Sequence, residues 1–425
     1  MIKKLNLNIF KLYYILPFLL VSGPFLPDLL VSISSIFFLI YFMLYEKKLL
    51  KISWIFYFIL FYFILILTSI FSINLFTSLK SSIPYLRFLI MVLSVYYLIE
   101  KKILKLKIFY LSLIGLIIIL SADGLIQFIT GENIVGFKSP ITYRITSFFN
   151  EKAVLGGFTF KLIPLIFFLH MATDDFKFKK YLFILCLFFS ILSIVISGDR
   201  SAFYLLIIFI ILTCFMFFSK KNLLITVMVL SSILFLILKN DILKNRIIFM
   251  TYEGFFNTLD KFNPENINKK INIEEKKITN LHFYISDDHH HHMLTAINIF
   301  KEYPLLGSGP NTYRIICKDK RFFIKENSCT THPHNFYLQL LAETGIFGFT
   351  IILLIFLKTS YYLIIKCPFL STKKIDYFIY VNLFLLLLPV LSNGNFFNNW
   401  LSIINFFPFG IYFYYLKNKA QFKFK

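Results

Sequence analysis

Apolar runs of the length a helix needs to cross a bilayer recur along almost the whole of this chain. Roughly 30 Å of hydrocarbon takes about 20 helical residues. Runs of that kind fall near residues 10–23, 25–45, 52–73, 78–99, 108–129, 153–173, 180–198, 200–219, 221–238, 335–358, 376–393 and 398–416. Inside hydrocarbon the backbone has no water to bond, so each run must satisfy its own N–H and C=O groups as helix. The sequence therefore predicts an all-α integral membrane protein with about twelve transmembrane helices, a class that a composition of 58% hydrophobic residues also demands. The first two runs contain Pro17, Pro24, Pro27 and Asp28, which could turn them into a re-entrant pair. No small-residue cleavage site follows the first run, so it reads as a retained span and not as a signal peptide.

Lysine placement sets the expected orientation. Lys3, Lys4 and Lys11 precede or open the first run, and alternate connections carry Lys47, Lys48 and Lys51, then Lys101, Lys102, Lys105 and Lys107, then Lys177, Lys179 and Lys180, then Lys220 and Lys221. Short basic loops stay cytoplasmic, which puts both termini in the cytoplasm. Three segments follow: a bundle of about nine spans over 1–238, a periplasmic loop with short helices over 239–333, and about three spans over 334–425. Within the loop, NPENINKKINIEEKK has the composition of a mobile surface stretch, while Ile242–Phe256 and Leu294–Lys301 could form amphipathic helices. The net charge of +22 is spread over helix ends instead of gathered on one stripe, which argues against a nucleic-acid partner. No internal repeat is evident.

Candidate chemistry collects in the connections expected to face outward. His334 and Asn335 open the run HPHNFYLQLLAETGIFGF, and helical spacing would put His334, Leu338, Leu341, Gly345 and Gly348 on one face. His334 could act there or merely cap the helix. Arg200 follows Ser197-Gly198-Asp199 and could reach into a cavity, where its planar fork suits a phosphate or diphosphate, or could pair with Asp199. Arg144 stands in TYRITSFFNEKAVLGG, either folded back on the bundle or touching lipid headgroups. Arg87 lies well inside a span and could contact a lipid diphosphate or pair with Asp123. The run His289–His292 could bind metal or form a pH-sensitive, phosphate-facing surface. Asp287 and Asp288 beside it read as solvated, and no acidic pair suggests a divalent-metal site. Cys317 and Cys329 share the loop and could form a disulfide in an oxidising compartment; with His332 and His334 their spacing is a poor match to zinc sites. Cys186, Cys214 and Cys367 read as structural thiols.

Three features in order, SGDRSAF, then YPLLGSGPNTYR in the long loop, then HPHNFYLQLLAETGIFGF with Gly345-x-x-Gly348, resemble the O-antigen ligase and O-antigen polymerase superfamily of bacterial membrane glycosyltransferases. The features span about residues 190–350. The resemblance implies a C-type glycosyltransferase-like bundle in the inner membrane and a metal-independent, inverting transferase without cofactor. Such an enzyme moves a glycan from a polyprenyl diphosphate carrier to a hydroxyl on the periplasmic face, with lipid A core as acceptor in a ligase and a carrier-linked repeat in a polymerase. It assigns His334 as base or acceptor-positioning residue and Arg200 as diphosphate ligand. A second family arginine, expected about four helical turns before the Pro-x-x-Gly-x-Gly turn, has no equivalent here: His289 is nearest, leaving His289, His292, Arg246 or Arg314 to supply that contact. A transporter or flippase for a lipid-linked substrate would also use many spans and buried arginines, but predicts repeats and broken midplane helices.

Overall fold

The computed structural model describes residues 7–45, 53–139, 144–253, 287–324, 328–366, 374–389 and 393–418. Among them each of the twelve apolar runs contains a helix. These are α1 (Leu7–Leu19, largely 3-10), α2 (Phe25–Tyr45), α3 (Ser53–Ile70), α4 (Leu75–Glu100), α5 (Leu106–Thr130), α6 (Leu155–Ala172), α7 (Lys179–Ile196), α8 (Arg200–Met216) and α9 (Lys220–Lys239). After one loop helix, α10 (Asp287–Glu302), come α11 (Phe336–Tyr361), α12 (Lys374–Leu386) and α13 (Asn399–Lys417). The described residues contain no strand beyond one isolated bridge, Glu132 to Lys138. Seven of the helices are long and apolar enough to cross a membrane, and the protein is an all-α integral membrane protein. Surface character agrees: in α9 only Ile233 and Ile237 are buried, although the helix is mostly apolar between its terminal lysines, an arrangement suited to contact with lipid.

The centre of the bundle is aromatic. Tyr85, Phe88, Phe109, Phe158, Phe168, Tyr412 and Tyr415 are fully or nearly fully buried, and α4 lies along α13, α5 along α7 and α6 along α12. A smaller core sits apart under the loop, where Ala296 and Ile299 of α10 meet Tyr313, Ile316, Phe322 and Ala342 of α11. It fastens the loop helix to a membrane helix.

Two expectations are corrected here. Arg87 pairs with Asp28 of α2 (Nη2 to Oδ1, 2.6 Å), not with Asp123. Asp123 instead accepts from the Ile134 N–H (2.9 Å) and the Ser147 hydroxyl (2.6 Å), because the chain after α5 folds back over the helix end and brings these donors closer than any arginine. The proposed single face from His334 to Gly348 is also broken. His334 precedes the helix with φ +58°, and Gly345 interrupts α11 with φ +62°. The Gly345 kink is where the Pro304–Pro310 turn crosses: a Cβ there would strike the Leu305 carbonyl, and one on Gly307 would strike the Glu343–Thr344 backbone. Of the two amphipathic loop helices, the second begins earlier than expected, at Asp287, and the end of the first lies outside the described residues, as do NPENINKKINIEEKK and Cys367.

Candidate active site

Asn335 is the N-cap of α11. Its Oδ1 accepts from the Tyr337 and Leu338 N–H groups (3.0 and 3.2 Å) and its Nδ2 donates to the Pro389 carbonyl (2.9 Å), so the residue spends its capacity on capping and on the 389–398 connection. The same connection holds its neighbours, with the Asn393 N–H on the His334 carbonyl (2.9 Å) and the Phe336 N–H on Asn393 Oδ1 (2.7 Å). That clamp holds His334 in the left-handed region.

Around His334 gather three more imidazoles. Its ring centroid is 4.2 Å from that of His289, 4.3 Å from His332 and 5.6 Å from His292. His289 and His292 meet it together because they are three apart on α10 and share a face. Burial, followed by the neighbouring imidazoles, pushes His334 down to about 3, and burial with Arg314 pushes His332 down to about 4; both are neutral proton acceptors at pH 7. Arg314 itself is exposed. The loop is stapled behind the cluster: Tyr313 donates its hydroxyl to the His292 carbonyl (2.9 Å) and its N–H to Glu343 Oε1 (2.7 Å), and Cys317 and Cys329 are joined as a disulfide.

A second cluster forms where α8 begins. Asp199 caps that helix, its Oδ1 accepting from the Ala202 N–H at 3.3 Å, and its Oδ2 lies 3.9 Å from Arg144 Nη2. Arg144 also donates to the Ala153 carbonyl (2.7 Å), Arg200 to the Met250 carbonyl (2.9 Å) and Arg246 to the Gly198 carbonyl (3.2 Å). Three guanidiniums thus stand around one carboxylate. Burial depresses the Arg246 pKa first, then repulsion from Arg200 and Arg144, with Asp199 opposing. Gly156 and Gly157 let α6 approach this turn, since a Cβ on the first would meet Ser197 and Asp199.

One cavity of about 1090 Å³ joins the two clusters: Ala153, Asp199 and Ser201 line one part, His332 and His334 another. Arg200 lies between two lining residues, with its own guanidinium turned to Met250. Of the residues expected at the site, Arg144, Arg200 and Arg246 come together, His289, His292 and His334 come together, Asn335 supports the second group, and Arg87 belongs to neither. Sequence reasoning missed Lys161 of α6, which lines the same cavity. Its signal was a charge inside an apolar run. Among the described residues no group of three or more His, Cys, Asp or Glu is arranged to hold a metal ion; the side chains of Asp287 and Asp288 lie outside those residues.

The molecule is thus a helical membrane bundle with an internal cavity that His332 and His334 line at one place and Asp199 and Ser201 at another, the three arginines standing beside the latter. Residues 185–353, from α7 to the kinked part of α11, match the sequence model of a family described as O-Antigen ligase, in agreement with the resemblance carried by the three motifs. No curated protein matches the chain.

Proposed function

We propose that the protein is an O-antigen ligase-like glycosyltransferase that takes a glycan from a polyprenyl diphosphate carrier and joins it to a hydroxyl of lipid A core or a similar acceptor. In this reading the reaction takes place at the periplasmic face of a bacterial inner membrane, in the cavity lined by Asp199, Ser201, His332 and His334. What carries the reading is a single cavity that touches both the Asp199–Ser201 turn and His334.

In the proposed step the acceptor oxygen forms a bond to the anomeric carbon as the bond from that carbon to the diphosphate breaks. The hydroxyl proton passes to neutral His334, and the carrier leaves as polyprenyl diphosphate. A diphosphate is already a good leaving group, so catalysis consists mainly of orienting the hydroxyl and stabilising charge that grows on the departing oxygen. Arg144, Arg200 and Arg246, grouped beside the Asp199 end of the cavity, would stabilise that charge, in the role a divalent ion would otherwise fill. Attack opposite the leaving group inverts the anomeric centre. An imidazole held near pKa 3 is a weak base, but the arriving diphosphate raises it by favouring the charged form. Polymerase activity, with a second carrier-linked glycan as acceptor, uses the same geometry.

The test is transfer in proteoliposomes containing a polyprenyl-diphosphate glycan and candidate acceptors. His334→Ala should lower the rate roughly 10²- to 10⁴-fold, the range for a positioned acid–base group, and chelator should leave wild-type activity unchanged. Equal product from wild type and His334→Ala would remove the base; loss of activity with chelator would remove the metal-free mechanism.

A further inference from the structure

Lys161 stands six residues into α6, within the apolar sequence GGFTFKLIPLIFF. Its ammonium donates to Asn405 Oδ1 of α13 at 3.1 Å. Among the described residues no carboxylate lies within ion-pair distance of it. A cation kept at that depth against one neutral amide is costly, and such residues are retained in membrane helices where they face a partner or a pathway. Tethering α6 to α13 does not explain the charge, since a neutral donor would serve.

The position in the chamber supplies an explanation. Lys161 is one turn beyond Gly157, on the same face of α6, and a Cβ on Gly157 would come 3.3 Å from Asp199 Oδ2. The lysine is therefore displaced from the arginine-rich turn by about 6 Å along the helix, from four residues at 1.5 Å each. Both residues line the cavity. Its lining includes the hydrocarbon side chains Phe160, Leu383, Leu386 and Phe409 together with Lys161, Asn382 and Asn405. A prenyl chain can lie against the apolar side chains, which ask for no hydrogen-bond partner.

We infer that Lys161 binds the phosphate adjoining the lipid chain of a prenyl-phosphate ligand, with the hydrocarbon lying along the apolar wall and any second phosphate directed to Asp199's arginine neighbours. This rests on reading the chamber as a donor site for a lipid-linked glycan. It assigns Lys161 a function separate from His334: holding the carrier itself, before and after transfer.

Binding to the full-length protein in nanodiscs tests it, with undecaprenyl phosphate, undecaprenyl diphosphate and the uncharged alcohol undecaprenol as probes and thermal unfolding as the check on folding. A charge-assisted hydrogen bond is lost in Lys161→Met, so both phosphorylated lipids should bind about tenfold or more weakly. Undecaprenol should bind as before, and Lys161→Arg should keep most of the phosphate affinity. Unchanged phosphate binding by a folded Lys161→Met overturns the inference, and so does an equal loss for the alcohol, which would make Lys161 a packing residue. Arg200→Ala separates the two proposals: loss of diphosphate binding there with wild-type binding in Lys161→Met sinks only this inference, whereas a wild type that binds no phosphorylated lipid sinks the donor site as well.

Discussion

At the residue scale the turn Ser197-Gly198-Asp199-Arg200 shows how a short motif becomes a site only when distant residues reach it. Arg200 is visible in the sequence because a guanidinium after a Ser-Gly turn, between two apolar runs, has few uses. Arg246 is less so, since the whole of α9 separates it from Arg200, and only the fold brings its Nε to the Gly198 carbonyl. Asp199, legible merely as a loop partner, proves to be both the cap of α8 and a carboxylate beside Arg144. As a diphosphate site the cluster would need forks more than charges: a guanidinium can bond a carbonyl with one edge and a phosphate with another, which a lysine ammonium cannot reproduce. Arg200→Lys is therefore expected to lower kcat/KM for transfer at least tenfold despite its conserved charge. Steady-state kinetics in proteoliposomes measures this, and wild-type kcat/KM in the lysine variant would show that guanidinium geometry is not used.

Among the elements, α10 carries most of what the sequence concealed. A run of four histidines looks like a surface tract. In a helix its first and last members share one face, and docking on α11 through Ala296, Ile299, Tyr313 and Ala342 turns that face toward His334. Periodicity could not disclose this, because the contact depends on a neighbouring loop held by the Cys317–Cys329 disulfide. The kink of α11 was equally hidden: Gly345 was legible as a small residue for close helix contact, whereas its positive φ exists because the Pro304–Pro310 turn crosses there. Docking has a pH signature. His334 and His332 are held at about 3 and about 4 when packed, against about 6.5 for a free imidazole. Between those values the undocked state binds more protons, so docking is at full strength above about pH 6.5 and weakens as pH falls toward 3. Hydrogen exchange, corrected for intrinsic rate, should show the amides of 293–302 less protected at pH 5 than at pH 7.5, with the difference reduced in His334→Gln. Equal protection at both values would mean that the imidazoles do not govern docking.

On the scale of the whole molecule, hydrophobic run length disclosed nearly all the architecture, because a bilayer permits a membrane-spanning chain so few solutions that length alone distinguishes helix from loop. What run length cannot disclose is the chamber, which forms where α6, α12 and α13 leave space between aromatic side chains, and with it the meaning of Lys161. Sidedness is a further global property, and here it rests on charge. If the basic connections are cytoplasmic, then the 173–178 connection and the turn at His332–His334 lie on opposite sides of the membrane. Thr331 and Lys177 are both exposed, so a single cysteine at either place can report without disturbing the core. With the outer membrane permeabilised, a membrane-impermeant maleimide should label Thr331→Cys in intact cells, and Lys177→Cys only after the inner membrane is lysed. The reverse pattern would put the histidine cluster in the cytoplasm. There it would face the reducing compartment, where Cys317–Cys329 would not persist, and the chamber could not receive a glycan presented from the periplasmic side.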